Sequence, residues 1–147
     1  MEIIVSDRQN SKINIDLIED LSDHCLSRLN AAADTELSMS LVLADEISQL
    51  NLRYRKQDKP TDVLSFSYKE EPQIIKLLGD IVLCPEQAQK KAKENERDFD
   101  EYFALLIAHS ILHLFGYSHD DDDDAKVMSE KEQQLLKSFD FGNRSFK

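Results

Sequence analysis

Apolar residues along this chain follow two periods, and these divide it into elements. Ile3 to Val5 read as a first strand. Leu17, Ile18, Leu21, Cys25 and Leu29 recur on one face of a helix over about 15–30. Ser38 to Leu43 is a second short strand. Asp45 is placed to cap a helix ending near Arg55, with Ile47, Leu50 and Tyr54 as its buried stripe and Asn51 and Arg55, four apart, together off that stripe. Lys59-Pro60-Thr61 breaks the chain. Val63 to Tyr68 form a third strand and residues 74 to 83 a fourth, in which Gly79 permits a bulge or a close approach. Pro85 opens a polar helix to about Asn95. Asp98 and Glu101 resemble a capping box before a helix over 99–115, which is apolar nearly all round and so reads as a buried central helix. A last helix follows an aspartate run, with Val127, Met128, Leu135 and Phe139 facing inward. The order of elements predicts one α+β (mixed α/β) domain over 1–147, a four-stranded sheet covered by helices.

The central helix carries the chemistry. His109 and His113 lie four residues apart on it, and His119 follows after Gly116. Side chains at i and i+4 project to the same side of a helix, and a glycine can end the helix and turn the chain back. Three of the chain's four histidines are thereby brought into reach of one ion. One polar residue on an apolar helix is ordinarily a satisfied core histidine. Two at metal spacing with a third after a glycine are better explained by a metal, with three imidazoles and an open fourth position as in catalytic zinc sites. One zinc per chain is expected, although nickel, copper and iron also accept imidazole.

The spacing is that of the metzincin proteases, H-E-x-x-H-x-x-G-x-x-H, with one change. The glutamate that serves those enzymes as general base is Ser110 here. Serine cannot hold a proton as a carboxylate does, so the usual peptidase mechanism lacks its base.

Composition narrows the setting. With 32% charged residues and no apolar run of membrane-spanning length, the chain reads as soluble and globular, with no membrane partner. Its acidic N-terminus lacks the basic flank of a signal peptide, and Cys25 and Cys84 have no metal or redox spacing. Both features fit reduced thiols in a cytoplasmic protein. The net charge of −11 taken alone argues against a nucleic-acid partner, although Asp120 to Asp124 supply five of the acids in one place. That run reads as a solvated helix cap rather than a second metal site. The best basic cluster is Arg53, Arg55, Lys56 and Lys59.

Two segments then point to a family. The histidine segment, His109-Ser110-Ile111-Leu112-His113-Leu114-Phe115-Gly116-Tyr117-Ser118-His119, is similar to a motif of the form H-G-x-L-H-L-x-G-Y-D-H. Leu50 to Phe66 matches L-N-x-x-Y-R-x-x-D-x-P-T-D-V-L-S-F at each specified position, and Gly79-Asp80-Ile81 follows. On these residues the chain resembles the YbeY family of bacterial rRNA-maturation endoribonucleases. It departs from the pattern at Ser110, usually Gly, and at Ser118, usually Asp, for which Asp120 could compensate.

The resemblance implies a metal-dependent, single-strand-directed endoribonuclease acting in small-subunit rRNA 3′-end processing and ribosome quality control. Its partners would be rRNA, the small ribosomal subunit and other ribosome-maturation proteins, with no DNA. His109, His113 and His119 would bind zinc. Arg55 would be important for activity, its planar fork holding phosphate. His109 and Arg55 are thus the candidate catalytic residues, and Asn51, Arg53, Lys56 and Lys59 join Arg55 as candidate RNA contacts. Zinc with an open position lowers the pKa of bound water to about 7 and polarises a phosphoryl oxygen. Attack by hydroxide and attack by the RNA 2′-hydroxyl both remain open, and no general base is assigned. A metallopeptidase without its glutamate and a metal-stabilised ribosome-assembly factor with little cleavage are the competing functions.

Overall fold

The computed structural model describes residues 1–68 and 76–147. Its sheet has the order β1-β2-β4-β3, from strands β1 (Glu2–Arg8), β2 (Thr35–Val42), β3 (Val63–Ser67) and β4 (Lys76–Leu83). β1, β2 and β4 are parallel, and β3 is antiparallel to β4 and forms an edge. Among the described residues five helices complete the fold: α1 (Ile15–Arg28), α2 (Ala44–Arg55), α3 (Pro85–Glu94), α4 (Phe99–Leu114) and α5 (Asp122–Lys137). This is the α+β arrangement expected from the sequence. Positions 74 and 75, assigned there to the fourth strand, lie outside the described residues.

Alternation along the strands sorts side chains between two clusters. Leu37, Met39 and Leu41 of β2 and Ile81 and Leu83 of β4 join α1, α3, α4 and α5 in the main core. Leu64 and Phe66 of β3 and Val82 of β4 point the other way, to Ile47 and Leu50 of α2. The sheet is therefore a layer between α2 and the remaining helices. α4 is the central element: it touches α1, α3, α5, β3 and β4. Phe103, Ile107, Ile111 and Leu112 on it are fully buried.

Gly79 shows why α4 can lie so close to the sheet. The β2–β4 register shifts at Glu36/Leu37, which face Leu77 and Gly79, so Leu78 bulges. A Cβ on Gly79 would lie 2.3 Å from the Phe66 carbonyl oxygen and 2.8 Å from Leu114 Cδ2. Both the bulge and the close approach anticipated for this glycine are present.

Four local expectations are corrected. α2 begins after Leu43, which makes no side-chain cap, so Asp45 sits in the first turn, where its charge complements the helix dipole. The buried stripe of α2 is Ile47 and Asn51, with Tyr54 53% exposed. Asn51 turns inward because its amide donates to Lys59 O at 2.9 Å, which satisfies it in the loop that follows the helix. Val127 on α5 is 55% exposed, and Glu132 takes a buried place on that helix because His109 partners it. The C-terminal tail also joins the core: Phe146 is fully buried against Phe103, and its backbone bonds Asn14 and Asp100.

Candidate metal centre

The histidine cluster is built by the end of α4. Asp98 caps the start of that helix, its carboxylate accepting from Glu101 N. At the other end Gly116 takes φ 97°, Gly116 N donates to His113 O at 3.0 Å and Tyr117 N to Leu112 O at 3.1 Å. That pair of bonds is a Schellman turn, and it needs a residue with positive φ where Gly116 stands. The turn does two things for the site. It puts Tyr117 O within 3.1 Å of His113 Nδ1, and it sends the chain back so that His119 returns to the helix end.

The three imidazoles converge. The His109 ring lies 4.5 Å from that of His113 and 5.6 Å from that of His119, and His113 and His119 are 5.1 Å apart. One ligand atom from each falls within 4.8 Å of the others. His109 Nδ1 bonds the carboxylate of Glu132, a residue only 8% exposed. With both Nδ1 atoms facing oxygen acceptors, a glutamate and a backbone carbonyl, both donate. With both rings neutral, as metal ligands are, the Nε2 atoms of His109 and His113 carry lone pairs, and they face each other at 3.0 Å. Two lone pairs at that distance repel unless a cation lies between them. A tetrahedral zinc with bonds of ~2.1 Å puts its ligand atoms about 3.4 Å apart, so the donor set fits a metal. Burial, followed by the fields of His109 and His119, lowers the His113 pKa and keeps that ring neutral, as a ligand must be.

The two departures from the family motif have local explanations. Ser110 is 1% exposed and donates to Leu106 O at 2.7 Å, one turn back on its own helix. It therefore supplies no base at the position where a metzincin has glutamate. Ser118 donates to Asp124 at 3.3 Å, so the acid it meets is Asp124 rather than Asp120. Asp121 caps α5 by accepting from Asp124 N, the helix cap expected of the aspartate run.

The remaining candidates separate into two groups. Asn51, Arg55 and Lys59 line one cavity of about 520 Å³ between α2, β3 and α3. Arg55 Nη2 donates to Ser65 O at 3.3 Å. β3 pairs to β4 through its even-numbered residues, as the Tyr68–Leu78 and Cys84–Asp62 bonds at its ends require, so Ser65 O points to the outer edge of the sheet. Arg53 instead lies over the Tyr54 ring at 5.3 Å, and Lys56 terminates α2 in the left-handed conformation; neither lines the cavity. The histidines do not line it either. β3 runs between the two groups. One end is tied to α4 by the Asp62–Tyr102 bond, and its other end pairs with Gly79, which lies against Leu114.

Sequence reasoning missed Glu132, Lys90 and Lys91. Glu132 looks like any acid on an amphipathic helix, and only the packing of α5 on α4 brings it to His109. Lys90 and Lys91 line the Arg55 cavity from the polar face of α3, a charged face with no motif to mark it.

The comparisons with known proteins agree with this architecture. A sequence model of the family described as Endoribonuclease YbeY matches residues 4–140. A protein of Alkaliphilus oremlandii named Endoribonuclease YbeY is 39% identical, over 92% of this chain and 95% of its own. One of the same name from Francisella tularensis subsp. novicida is 36% identical, over 89% of this chain and 91% of its own. The solution structure of a Thermotoga maritima protein superposes with a TM-score of 0.64 at 31% identity, over 92% of this chain and 87% of that one. The chain belongs to the Endoribonuclease YbeY family.

Proposed function

We propose that this member of the YbeY family is a zinc-dependent, single-strand-directed endoribonuclease of rRNA processing, acting in small-subunit rRNA 3′-end maturation and ribosome quality control. The observation that carries the metal dependence is the opposed pair of Nε2 atoms on His109 and His113, each with its Nδ1 engaged by an oxygen acceptor. The names of the relatives support RNA as the substrate.

His109, His113 and His119 would hold the zinc, and Glu132 and Tyr117 O would fix the orientation of the first two rings. When bound, zinc supplies Lewis acidity toward a phosphoryl oxygen and lowers the pKa of a water in its open position. Arg55 would hold phosphate oxygens with its fork and offset the charge that grows on them during cleavage. Its guanidinium stands at the edge of β3, steadied by Ser65 O, so part of its positioning precedes RNA binding. Asn51 acts one step back, holding the Lys59 carbonyl and with it the loop from 56 to 62. No helix among the described residues is long and apolar enough to cross a membrane. A cytoplasmic location, with rRNA, the small ribosomal subunit and other maturation proteins as partners, belongs to the same proposal.

The test is cleavage of single-stranded rRNA fragments by zinc-loaded protein, with casein as the control substrate. RNA cleavage that disappears with chelator and in His109→Ala and Arg55→Glu is expected. Cleavage of casein but not RNA would replace this reading with a peptidase. Tight RNA binding by zinc-loaded protein without cleavage would replace it with an assembly factor.

A further inference from the structure

The cavity between α2, β3 and α3 has a charge that the chain as a whole does not. Arg55, Lys59, Lys90 and Lys91 line it, against the acids Asp62 and Glu94. The chain carries a net charge of −11, so four cations to two acids among the described residues that line the cavity is a local reversal of sign. Asp62 is also largely spent within the protein: it is buried, accepts from Tyr102 OH and Thr61 Oγ, and lies 3.8 Å from Lys91 Nζ. The larger cavity between α4 and α5 makes a useful contrast. Its Arg97, Lys137 and Arg144 are matched by Asp100, Glu101 and Glu132.

We propose that this cavity is a second RNA-backbone site, in which Lys59, Lys90 and Lys91 take a phosphodiester of the same single strand that is cut at the histidine centre. The inference rests on the endoribonuclease reading above and adds to it where the rest of the strand goes. Lysines are mobile point charges, suited to a backbone phosphate whose position varies with sequence. The path is set by β3. Arg55 lines the cavity and also reaches the outer edge of β3 at Ser65 O. The Asp62–Tyr102 bond fixes the cavity end of β3 at the first third of α4, and His109 lies two turns further along that helix. Seven residues of α4 span about 10 Å, so a strand lying along the β3 edge would pass Arg55 between the metal centre and α3. In an acidic protein such a site also answers how a polyanion is retained, because affinity for nucleic acid comes chiefly from phosphate contacts.

The test compares zinc-loaded wild type with Lys90→Gln/Lys91→Gln, using cleavage of a single-stranded rRNA fragment across a series of salt concentrations. Lys126→Gln, an exposed lysine on α5, is the control. The double variant is expected to raise KM roughly tenfold with kcat nearly unchanged. It should also flatten the slope of log(kcat/KM) against log salt by about 0.7, the share of the one phosphate no longer neutralised. Zinc content and circular dichroism should match wild type. Lys90→Glu alone leaves the Lys91–Asp62 contact in place and should move KM in the same direction. An unchanged KM and salt slope in both variants, with wild type cleaving, would overturn the second site and leave the endoribonuclease standing. A wild type that cleaves no RNA would remove both.

Discussion

Glu132 on α5 accepts the Nδ1 proton of His109 on α4, and this bond between two helices sets which nitrogen of His109 faces the histidine cluster. A carboxylate behind a ligating histidine holds the ring, fixes the tautomer and raises its basicity. Glu132→Ala is therefore expected to weaken zinc affinity on the order of 10–100-fold, measured by competition with a chromophoric chelator. Glu132→Gln keeps an acceptor oxygen and should lose less. Equal affinity in wild type and Glu132→Ala would show that the bond contributes packing alone.

Zinc should stabilise the fold as well as equip it. At a hundredfold excess over its dissociation constant, a ligand bound only by the native state adds about 2.7 kcal/mol. For a chain of this size that is a rise in Tm on the order of 5–10 °C. His113→Ala removes one of three ligands, and the rise should vanish with it. A scanning calorimetry series with and without zinc provides the check.

Ser110 should be neutral toward the metal. Its hydroxyl is satisfied by Leu106 O inside the helix, and restoring the family's usual residue with Ser110→Gly adds backbone freedom in the middle of α4. The expected cost is roughly 0.5 kcal/mol of stability, read from the urea midpoint, with zinc affinity unchanged. A gain in affinity of tenfold or more in Ser110→Gly would show that the serine does crowd the centre.

The two glycines around α4 should fail in different ways. In Gly79→Ala the new Cβ meets a backbone oxygen at 2.3 Å, which cannot swing aside as a side chain could. A loss of roughly 2–3 kcal/mol is expected from displacement of β3 and α4. Gly116→Ala forces φ 97° on an alanine, with a cost of about 1–2 kcal/mol. Because that turn presents Tyr117 O and His119, zinc affinity should fall as well. Denaturant unfolding beside zinc titration separates the two outcomes.

Tyr102 makes stability depend on alkaline pH. Burial first, then the hydrogen bond to Asp62 and its charge, raise the phenol well above its ordinary value. A group held protonated by the fold contributes stability that is complete below its unfolded pKa, about 10 for tyrosine, and lost as pH rises toward the folded value. The urea midpoint of wild type should fall as pH climbs above ten, and Tyr102→Phe should flatten that part of the fall. Parallel slopes in the two proteins would mean that the phenol does not govern it.

Much of the candidate metal centre is local, and for that reason legible in the chain. His109 and His113 are one helical turn apart, Gly116 is the residue that a Schellman turn requires, and His119 follows within the same segment. No distant contact is needed to bring them together. The strand period likewise follows from the alternation of side chains between two clusters, and with the one-sided apolar faces of the helices it yields the four-stranded α+β fold. The inward turn of Asn51 is not legible in this way, because helical spacing shows which residues share a face but not which face turns inward. Its partner, Lys59 O, lies beyond the end of the helix.

Pattern and spacing along the chain thus determined three histidines within reach of one ion and the loss of the protease base at Ser110, and resemblance to a family motif singled out Arg55. Tertiary structure alone decided what surrounds them: Glu132 behind His109, Arg55 at the edge of β3, and Lys90 and Lys91 in the cavity beside it. The physical reason is range. A helix turn fixes neighbours three and four residues apart, whereas Glu132 meets His109 across 23 residues because α5 packs on α4, and no periodicity in the sequence encodes that contact.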